Sequence, residues 1–455
     1  MIKYDDLLKD IVGKIHAAGG VAYFVGGCVR DALLDRDCDD IDVEVFALNP
    51  DTLTQILSEF GEVYRKGDAF PVFGLKELPE VDFSLPRTEN KTGDKHTDFK
   101  VFVNPLLSTK AASQRRDFTV NALMYSPMKE IVVDEWGGLM DVELKRLQHI
   151  DDVKFSEDPL RVFRCARFAA TLNFSVARET INICKNIDVT KLSRERVAAE
   201  MTKALLYSEK PSLFFRVLHE MDKLDYWMPE LNALVGVKQS KIHHPEGDAF
   251  THTMMVVDEA AKWLKTQRVE KPLPFMLSAL CHDLGKAVTT EIREDGKITS
   301  IGHDAAGVPL TKKFIGRIYG QTNMMPYITN MVENHMKLRH MANNKSRIKK
   351  TRKLFDSSVN PNDLCLLVYA DSRGRLTTEE AKSQGNWFIH DRLFDYNEWL
   401  KQPKITAQQL IDLGYEPGPQ LGEMLKRAIH ISYGESSEKQ ILSILKKEFP
   451  KKIEK

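Results

Sequence analysis

The spacing of apolar positions changes along the chain and separates a head of mixed structure from a helical remainder. Residues 3–19 carry apolar side chains at helical spacing, and short runs with strand composition follow at 21–25, 39–45, 61–65, 72–75 and 81–85. Beyond residue 138 the apolar spacing is helical. The pattern therefore predicts an α+β fold, in which an α/β head precedes mostly α-helical segments.

The length of 455 residues predicts about two to four domains. We place them at 1–138 for the α/β head, 139–240 for a helical neck, 241–380 for a histidine-bearing helical domain and 381–455 for a helical tail. No stretch approaches the ~18 apolar residues of a membrane span. We expect a cytoplasmic protein with no membrane contact, either a monomer or a homodimer.

Charge and cysteine content exclude two simple interpretations. The 65 basic residues balance the 65 acidic ones, so net charge gives no argument for a nucleic-acid partner and any such surface must be local. The six cysteines lie far apart without a C-x-x-C motif. This spacing argues against a disulfide framework or a thiolate metal site and fits a reducing compartment.

Gly26 and Gly27 lie between the first strand and a helix start, where paired glycines let backbone N–H groups close on a phosphate. Asp40 and Asp42 follow at alternate positions of the next strand, so both carboxylates point to the same side of the sheet. Each feature alone is also typical of an ordinary turn or a solvated strand edge. Together they indicate a phosphate seat beside carboxylates that hold Mg²⁺, as two-metal nucleotidyl transfer requires.

Three further features extend this candidate site. Asp82 lies on the same strand face as Ser84 and is either a third carboxylate near the pair or a solvent-facing residue. Residues 87–99 are polar and predict a mobile loop beside the site. Arg115 and Arg116 are either surface residues or bidentate partners of a triphosphate.

A predicted helix near residue 160 carries charged residues at a spacing of three: Asp158, Arg161, Arg164 and Arg167. A salt-bridged amphipathic helix explains this spacing. The alternative is base recognition, because an Asp accepts from an exocyclic amine and an Arg donates to the adjacent ring nitrogen, an edge that cytosine and adenine share. Uracil and guanine would leave each contact unpaired, at a cost of about 1–3 kcal/mol. One helix would then select C and A without a template.

Five motifs in order, GGCVRD, DDID, RRDFTVNA, DEWGG and EDPLRVFRCARF, resemble those of the class II tRNA nucleotidyltransferases. This family comprises CCA-adding enzymes and bacterial poly(A) polymerases, and the similarity spans residues 20–235. The later motif LSRERV resembles the family's helix-capping motif, which implies that Ser193 caps a helix and that Arg196 braces the base-reading helix. The family commonly has Glu at the position of Asp82.

The resemblance implies a role for each matched residue. Catalysis is implied for Asp40 and Asp42, which would bind Mg²⁺, with Asp82 as a third candidate. Nucleotide binding is implied for Gly27, Arg30, Arg116, Asp158, Arg161 and Arg164, of which Asp158 and Arg161 would read the base.

Histidines and aspartates in helical context characterise the second half. His282 and Asp283 are adjacent between apolar residues, and their candidate partners are His252, His303, His335 and Asp371. Such N and O ligands favour Mn, Ni, Fe, Co or Mg over a thiolate-bound metal, although a lone histidine is usually a packed core residue. The pattern resembles that of the HD phosphohydrolase superfamily. This resemblance implies that residues 241–380 form an HD domain. The resemblance implies His252, His282, Asp283 and Asp371 as ligands of a divalent transition metal such as Ni²⁺, Mn²⁺ or Co²⁺ in this domain, with His303 and His335 as further candidates for a second ion.

The combined resemblance implies stepwise addition of C, C and A to the 3′ end of tRNA from CTP and ATP, with release of pyrophosphate. It further implies phosphatase and 2′,3′-cyclic phosphodiesterase activity of the HD domain. The alternatives are a poly(A) polymerase, an enzyme that adds only CC or only A, and an HD phosphohydrolase with a silent tRNA-binding head. The basic run at 343–353 is either a solvated helix face or a contact to the tRNA backbone.

Overall fold

The structure, a computed structural model, describes residues 2–38, 40–66, 72–91, 99–401, 404–434 and 436–450. The chain divides into two units, one comprising Met1–Ala204 and Leu213–Lys223 and the other comprising Leu205–Ser212 and Leu224–Lys455. The first unit combines a sheet with helices, whereas the second is mostly helical. The predicted α+β fold is confirmed, while the finer boundaries at 138, 240 and 380 stay predictions.

The strands up to residue 133 are β1 Val21–Val25, β2 Ile41–Phe46, β3 Val63–Lys66, β4 Val72–Leu75, β5 Leu78–Ser84, β6 Arg87–Lys91, β7 Phe99–Val103, β8 Met124–Ser126 and β9 Ile131–Val133. A seven-stranded sheet has the order β3-β4-β5-β2-β1-β8-β9. Strands β2 and β5 are parallel and the other neighbours are antiparallel. The five predicted strands are thereby confirmed, with ends shifted by a few residues.

Burial along β2 shows why this strand carries the candidate site. Ile41, Val43 and Val45 are buried in the core, whereas Asp42 between them is exposed. Glu44 lies on the same side as Asp42 but is fully buried. The strand therefore presents one solvent-accessible and one buried carboxylate on a single face.

The helices up to residue 220 are α1 Asp6–Ala17, α2 Gly27–Leu33, α3 Pro50–Ser58, α4 Thr109–Ser113, α5 Gly138–Glu143, α6 Asp152–Ser156, α7 Leu160–Leu172, α8 Arg178–Asn186, α9 Arg194–Tyr207 and α10 Ser212–Glu220. Short strands β10 Arg146–Leu147 and β11 Ser175–Val176 pair beside α7. Helix α1 packs its apolar side against β1 and α3, as its predicted period requires.

The prediction of a loop at 87–99 is wrong at both ends, where the structure has strands. Residues 87–91 form β6, which pairs antiparallel with β7 from Arg87 opposite Val103 to Lys91 opposite Phe99. The aromatic and β-branched residues of β7 favour a strand. The polar residues 87–91 are not typical of a strand, but their backbone pairs with β7 and they form β6. Residues 92–98 of the predicted loop lie outside the described residues.

The helices from residue 224 onward are α11 Leu224–Trp227, α12 Pro229–Asn232, α13 Ala249–Thr266, α14 Pro272–Cys281, α15 Lys286–Thr289, α16 His303–Tyr319, α17 Met325–Asn343, α18 Ile348–Ser357, α19 Pro361–Arg373, α20 Glu379–Ser383, α21 Asn386–Lys401, α22 Ala407–Asp412, α23 Pro419–Ser432 and α24 Glu438–Glu448. Strands β12 Glu291–Ile292 and β13 Ile298–Thr299 form a short hairpin. In the part of the chain that the structure describes, every helix is too short or too polar to cross a bilayer.

Candidate active sites

The first candidate site lies where β1 ends and β2 begins. Gly26, between β1 and α2, has a φ of +80°, and a Cβ added there would lie 2.9 Å from the Arg116 guanidinium. A glycine is therefore needed both for the backbone conformation and for the close approach of Arg116. The same Cβ position lies 3.8 Å from Asp42 Oδ2, which places the arginine and the carboxylate at one turn.

Asp42 and Asp82 are register partners on the parallel strands β2 and β5, so their side chains lie on one face of the sheet. Asp40 is exposed one residue before β2. Partial desolvation and the carboxylates of Asp82, Asp40 and Glu44 raise the pKa of Asp42, while Arg116 opposes this rise. Carboxylate oxygens are the ligands that a hard divalent cation such as Mg²⁺ prefers.

The predicted third carboxylate has a partner of its own. Lys66 on β3 donates to Asp82 Oδ1, and about a third or more of each side chain is exposed. An ion pair at such exposure is weak and exchangeable. The structure brings Asp82 beside Asp42, and its catalytic role stays a prediction.

Arg30 and Arg164, both predicted to bind nucleotide, belong to one buried network. Arg30 donates to Asp31 at 2.7 Å and to Asn121 Oδ1 at 2.5 Å, and Asn121 Nδ2 in turn donates to Asp117 at 2.8 Å. Arg164 donates to the same Asp117 carboxylate at 2.8 Å from Nε. The motif that carries Asp117 and Asn121 therefore links α2 to α7.

The predicted base-reading pair lies at the start of α7, where both side chains are fixed by neighbours. Asp158 accepts from the backbone N–H of Leu160 at 3.1 Å and faces the Arg196 guanidinium, also at 3.1 Å. Arg196 thus braces the helix, as predicted. Arg161 donates to the main-chain carbonyls of Lys154, at 2.7 Å, and of Arg115. The remaining arginine of this face, Arg167, is paired with Glu200 at 2.6 Å.

In the second candidate site, the predicted histidines and aspartates lie on four long helices and on the turn after α14. His252 on α13 lies 3.1 Å from Asp371 on α19 and 3.5 Å from Asp283, measured from Nε2 to the carboxylate oxygens. Asp283 also lies 3.1 Å from His282 Nε2 and 3.2 Å from His303 Nε2. All of these side chains are buried.

His335 on α17 completes the cluster. Its ring, together with His303 and Asp283, forms a group whose ligand atoms lie within 4.8 Å of one another, and His252, His282 and Asp371 form a second such group. The structure therefore brings together every residue predicted for this site.

Backbone carbonyls determine which nitrogen each histidine presents to the cluster. Nδ1 donates to Ala279 O from His282, to Ser300 O from His303 and to Val332 O from His335, at 2.6–2.8 Å. Because a carbonyl only accepts, Nδ1 carries the proton and Nε2 of the neutral ring presents a lone pair. Among the described residues these buried Nε2 atoms have no hydrogen-bond partner. Buried lone pairs without a donor fit a metal ion.

Two cations border this cluster. Lys286 Nζ lies 2.6 Å from Asp283 Oδ2, and Arg375 lies 2.8 Å from Asp371 Oδ1. Burial alone would raise the pKa of Asp283, but His282 and Lys286 outweigh it and hold that pKa well below its usual range. Burial and the neighbouring His282 and His303 lower the pKa of His335 to about 3, which keeps its ring neutral. A cavity of about 470 Å³ opens onto Asp283, Lys286, His303, Asp371 and Arg375.

Comparison with known proteins identifies the family. The model for "Poly A polymerase head domain" matches residues 22–148, and that for "Probable RNA and SrmB- binding site of polymerase A" matches residues 173–234. The multifunctional CCA protein of Actinobacillus pleuropneumoniae serotype 5b (strain L20) is 34% identical over 423 residues, covering 90% of this chain and 97% of that protein. The chain belongs to the multifunctional CCA protein family. A family member from Haemophilus influenzae (strain PittGG) is 32% identical and is covered over 96% of its length.

Solved structures agree with this membership. A CCA-adding enzyme in complex with ATP superposes with a TM-score of 0.67 at 19% identity, covering 100% of this chain and 97% of that one. The Thermotoga maritima CCA-adding enzyme complexed with tRNA_CCA superposes with a TM-score of 0.65 at 17% identity, covering 98% of this chain and 97% of that one. The chain therefore has the fold of CCA-adding enzymes. Its membership of the multifunctional CCA protein family identifies it as an enzyme of the predicted nucleotidyltransferase class.

Several residues of this family member that contact the candidate sites were missed by the sequence-based prediction. In the first site this residue is Asn121, which lies inside the RRDFTVNA motif and donates to Asp117. In the second they are Lys286 in HDLGK, Arg375 in SRGR, and Glu246 in HHPEGD, whose carboxylate accepts from His252 Nδ1 at 2.9 Å. Only their position within a recognised motif could have indicated them.

Replacing Asp117 by Asn is expected to destabilise the fold. Burial would raise the pKa of Asp117, but Arg164, Asn121 and Arg161 outweigh it and lower that pKa to about 2. Because the pKa is lowered, ionised Asp117 stabilises the fold by about 2 kcal/mol at pH values above its ordinary pKa of about 3.8. This contribution disappears as the pH falls through about 2. Urea unfolding should give a gap between wild type and Asp117→Asn that is constant from pH 7 to 5 and smaller at pH 3. A gap that does not change with pH would contradict this assignment.

Proposed function

We propose that this enzyme adds C, C and A to the 3′ end of tRNA, using CTP and ATP and releasing pyrophosphate. The observation that carries the proposal is the arrangement of Asp42 and Asp82 in register on adjacent strands, opposite Arg116. Asp40 and Asp42 would hold Mg²⁺, which supplies positive charge for the attacking hydroxyl and the phosphates. The names of the relatives, and solved CCA-adding enzymes with ATP, CTP and tRNA, support this reaction.

The protein's own residues have separable parts in this proposal. Arg116, at the Gly26 turn, orients the triphosphate through its guanidinium. Asp158 and Arg161 read the amine and ring-nitrogen edge that C and A share, and Arg164 supports the same nucleotide through the Asp117 network. We also propose that the chain has four domains, at residues 1–138, 139–240, 241–380 and 381–455.

A 3′-extension assay tests the proposal. Purified protein, Mg²⁺ and tRNA lacking its CCA end are incubated with CTP, ATP, UTP or GTP, singly and together, and the product ends are sequenced. Growth by CCA and then a stop supports the proposed reaction. A long A tract from ATP alone would identify a poly(A) polymerase, growth by CC or A only would identify a partial enzyme, and no extension would overturn the proposal for the head.

The buried histidine–aspartate cluster supports a second activity, metal-dependent hydrolysis of phosphoesters, including 2′,3′-cyclic phosphates. His252, His282, Asp283 and Asp371 would hold one divalent ion, and His303 and His335 would contribute to a second. A metal of this kind supplies a water nucleophile at neutral pH. Lys286 and Arg375 at the cavity attract the phosphate and balance its charge. Hydrolysis of 2′,3′-cyclic AMP with Mn²⁺, Ni²⁺, Co²⁺ or Mg²⁺ tests this proposal, and no turnover with any ion would overturn it.

The basic run at 343–353 suits a contact to the tRNA backbone. Helix α18 buries Thr351, Leu354 and Phe355, and its opposite side exposes Lys349, Lys350 and Lys353. We expect the triple Ala variant of these lysines to bind tRNA more weakly and to lower the slope of log affinity against log salt by about 2. Fluorescence anisotropy with labelled tRNA at several salt concentrations measures this slope.

A matched control for the lysine variant is available on α24, where Lys439, Lys446 and Lys447 are also exposed. Their triple Ala variant removes the same charge from another surface, so its slope should stay near that of wild type. Equal changes in both variants would show a general charge effect and would contradict a specific contact at α18.

A further inference from the structure

Glu44 is a fully buried carboxylate in the centre of the strand that carries Asp42, and neither candidate reaction uses it directly. We propose that Glu44 is a positioning residue for nucleotide selection. The proposal rests on the CCA-adding function given above, and it assigns Glu44 a role through Arg115 rather than through contact with substrate.

A buried carboxylate needs a cationic partner, and Arg115 provides it. Arg115 approaches Glu44 Oε1 at 2.9 Å, with 16% of the Arg115 side chain exposed and none of the Glu44 side chain. Among the described residues, the second oxygen of Glu44 has no hydrogen-bond partner. Removing one member of such a pair leaves the other charge buried, so the two side chains hold each other in place.

The main chain of Arg115 forms the next contact. Its carbonyl oxygen accepts a hydrogen bond from the Arg161 guanidinium, which also donates to the Lys154 carbonyl at 2.7 Å. The side chain of Arg115 is thus anchored on β2, while its main chain fixes the predicted base-reading arginine on α7. The next residue along the chain, Arg116, faces Asp42.

These contacts connect the strand of the candidate catalytic carboxylates to the base-reading pair through one ion pair. A guanidinium discriminates between base edges only while its orientation is fixed, and a displacement of about 1 Å changes rates by as much as about 100-fold. Loss of the Glu44–Arg115 pair should therefore weaken the preference for C over U and for A over G more than it lowers turnover of the correct nucleotides.

The test compares kcat/KM for CTP with UTP, and for ATP with GTP, on tRNA lacking CCA and on tRNA ending in CC. Glu44→Gln keeps the side-chain volume and removes the charge, and we expect each selectivity ratio to fall by about 10-fold or more. The double variant Glu44→Met, Arg115→Met replaces the ion pair by apolar side chains of similar length. It should fold even if the single variant does not, and it should show the same loss of selectivity.

Asp141→Asn is the structural control, because Asp141 is a buried carboxylate on α5 paired with Arg146 at 2.6 Å and has no proposed contact with nucleotide. It should lower thermal stability without changing either ratio. If both Glu44 variants kept the selectivity ratios of wild type, the positioning role of Glu44 would be overturned, while the proposed CCA addition would stand. A wild-type protein that extends no tRNA would instead overturn the proposed function, and this inference with it.

Discussion

Replacing Asp42 by asparagine is expected to lower 3′ extension of tRNA by at least about 10³-fold, which corresponds to about 4 kcal/mol of transition-state stabilisation. Asp42 is the carboxylate that lies in register with Asp82 and near Arg116, and asparagine removes its charge with little change in shape. A neutral amide holds a divalent cation less well than a carboxylate does. Extension of labelled tRNA with CTP and ATP measures the effect.

The same variant should be at least as stable as wild type. Partial desolvation and the neighbouring carboxylates raise the pKa of Asp42, so its charged form is disfavoured in the fold and removing the charge relieves repulsion. Asp51→Asn, at an exposed position in the first turn of α3, is the matched control and should extend tRNA normally. More than about 10% of wild-type extension by Asp42→Asn would contradict the role of this carboxylate.

The sequence predicts the first site well where local spacing decides geometry. The alternation of Ile41, Asp42 and Val43 correctly predicts which side chain leaves the core. That Asp82 lies directly beside Asp42 depends on parallel pairing of β2 with β5, which are separated by a helix and two strands. Tertiary packing selects that pairing, so the sequence places Asp82 on a face without identifying its neighbour.

The arginines of α7 show the same limit. Their spacing predicts a shared helix face, but each guanidinium contacts a different group from a distant part of the chain: Arg161 the carbonyl of Arg115, Arg164 the carboxylate of Asp117, and Arg167 that of Glu200. Periodicity within one helix carries no information about those partners. The spacing alone therefore fits both base reading and salt bridging. In the structure, Arg164 and Arg167 each form a salt bridge.

The histidines and aspartates of the second candidate site could be predicted from the sequence, whereas the cations that balance their charge could not. Histidine and aspartate next to apolar residues are unusual enough to be identified from the sequence, and all of them converge in the structure. Lys286 and Arg375 resemble ordinary surface cations in the sequence, because long charged side chains are rarely buried. Their proximity to Asp283 and Asp371 becomes evident only when the helices are packed.

Asp283→Asn is expected to abolish phosphoester hydrolysis, with a loss of at least about 10³-fold, while tRNA extension stays within about two-fold of wild type. Asp283 lies 2.6 Å from Lys286 and 3.1–3.2 Å from the Nε2 atoms of His282 and His303. An amide keeps the shape but lacks the negative charge that a divalent ion and Lys286 both require. Titration of Mn²⁺ into the purified full-length protein should also show affinity weakened by about 10-fold or more.

Stability provides an independent check on this carboxylate. The lowered pKa of Asp283 means that its ionised form stabilises the fold at neutral pH, and this contribution is lost only as the pH falls below the usual carboxylate range. The variant should therefore unfold at a lower temperature than wild type at pH 7 even without metal. Asp295→Asn, at an exposed turn between β12 and β13, removes one charge from the same unit and should change neither hydrolysis nor melting. Because the catalytic residues proposed for extension lie in the other unit, simultaneous loss of both activities in Asp283→Asn would indicate global unfolding and would contradict a local role for Asp283.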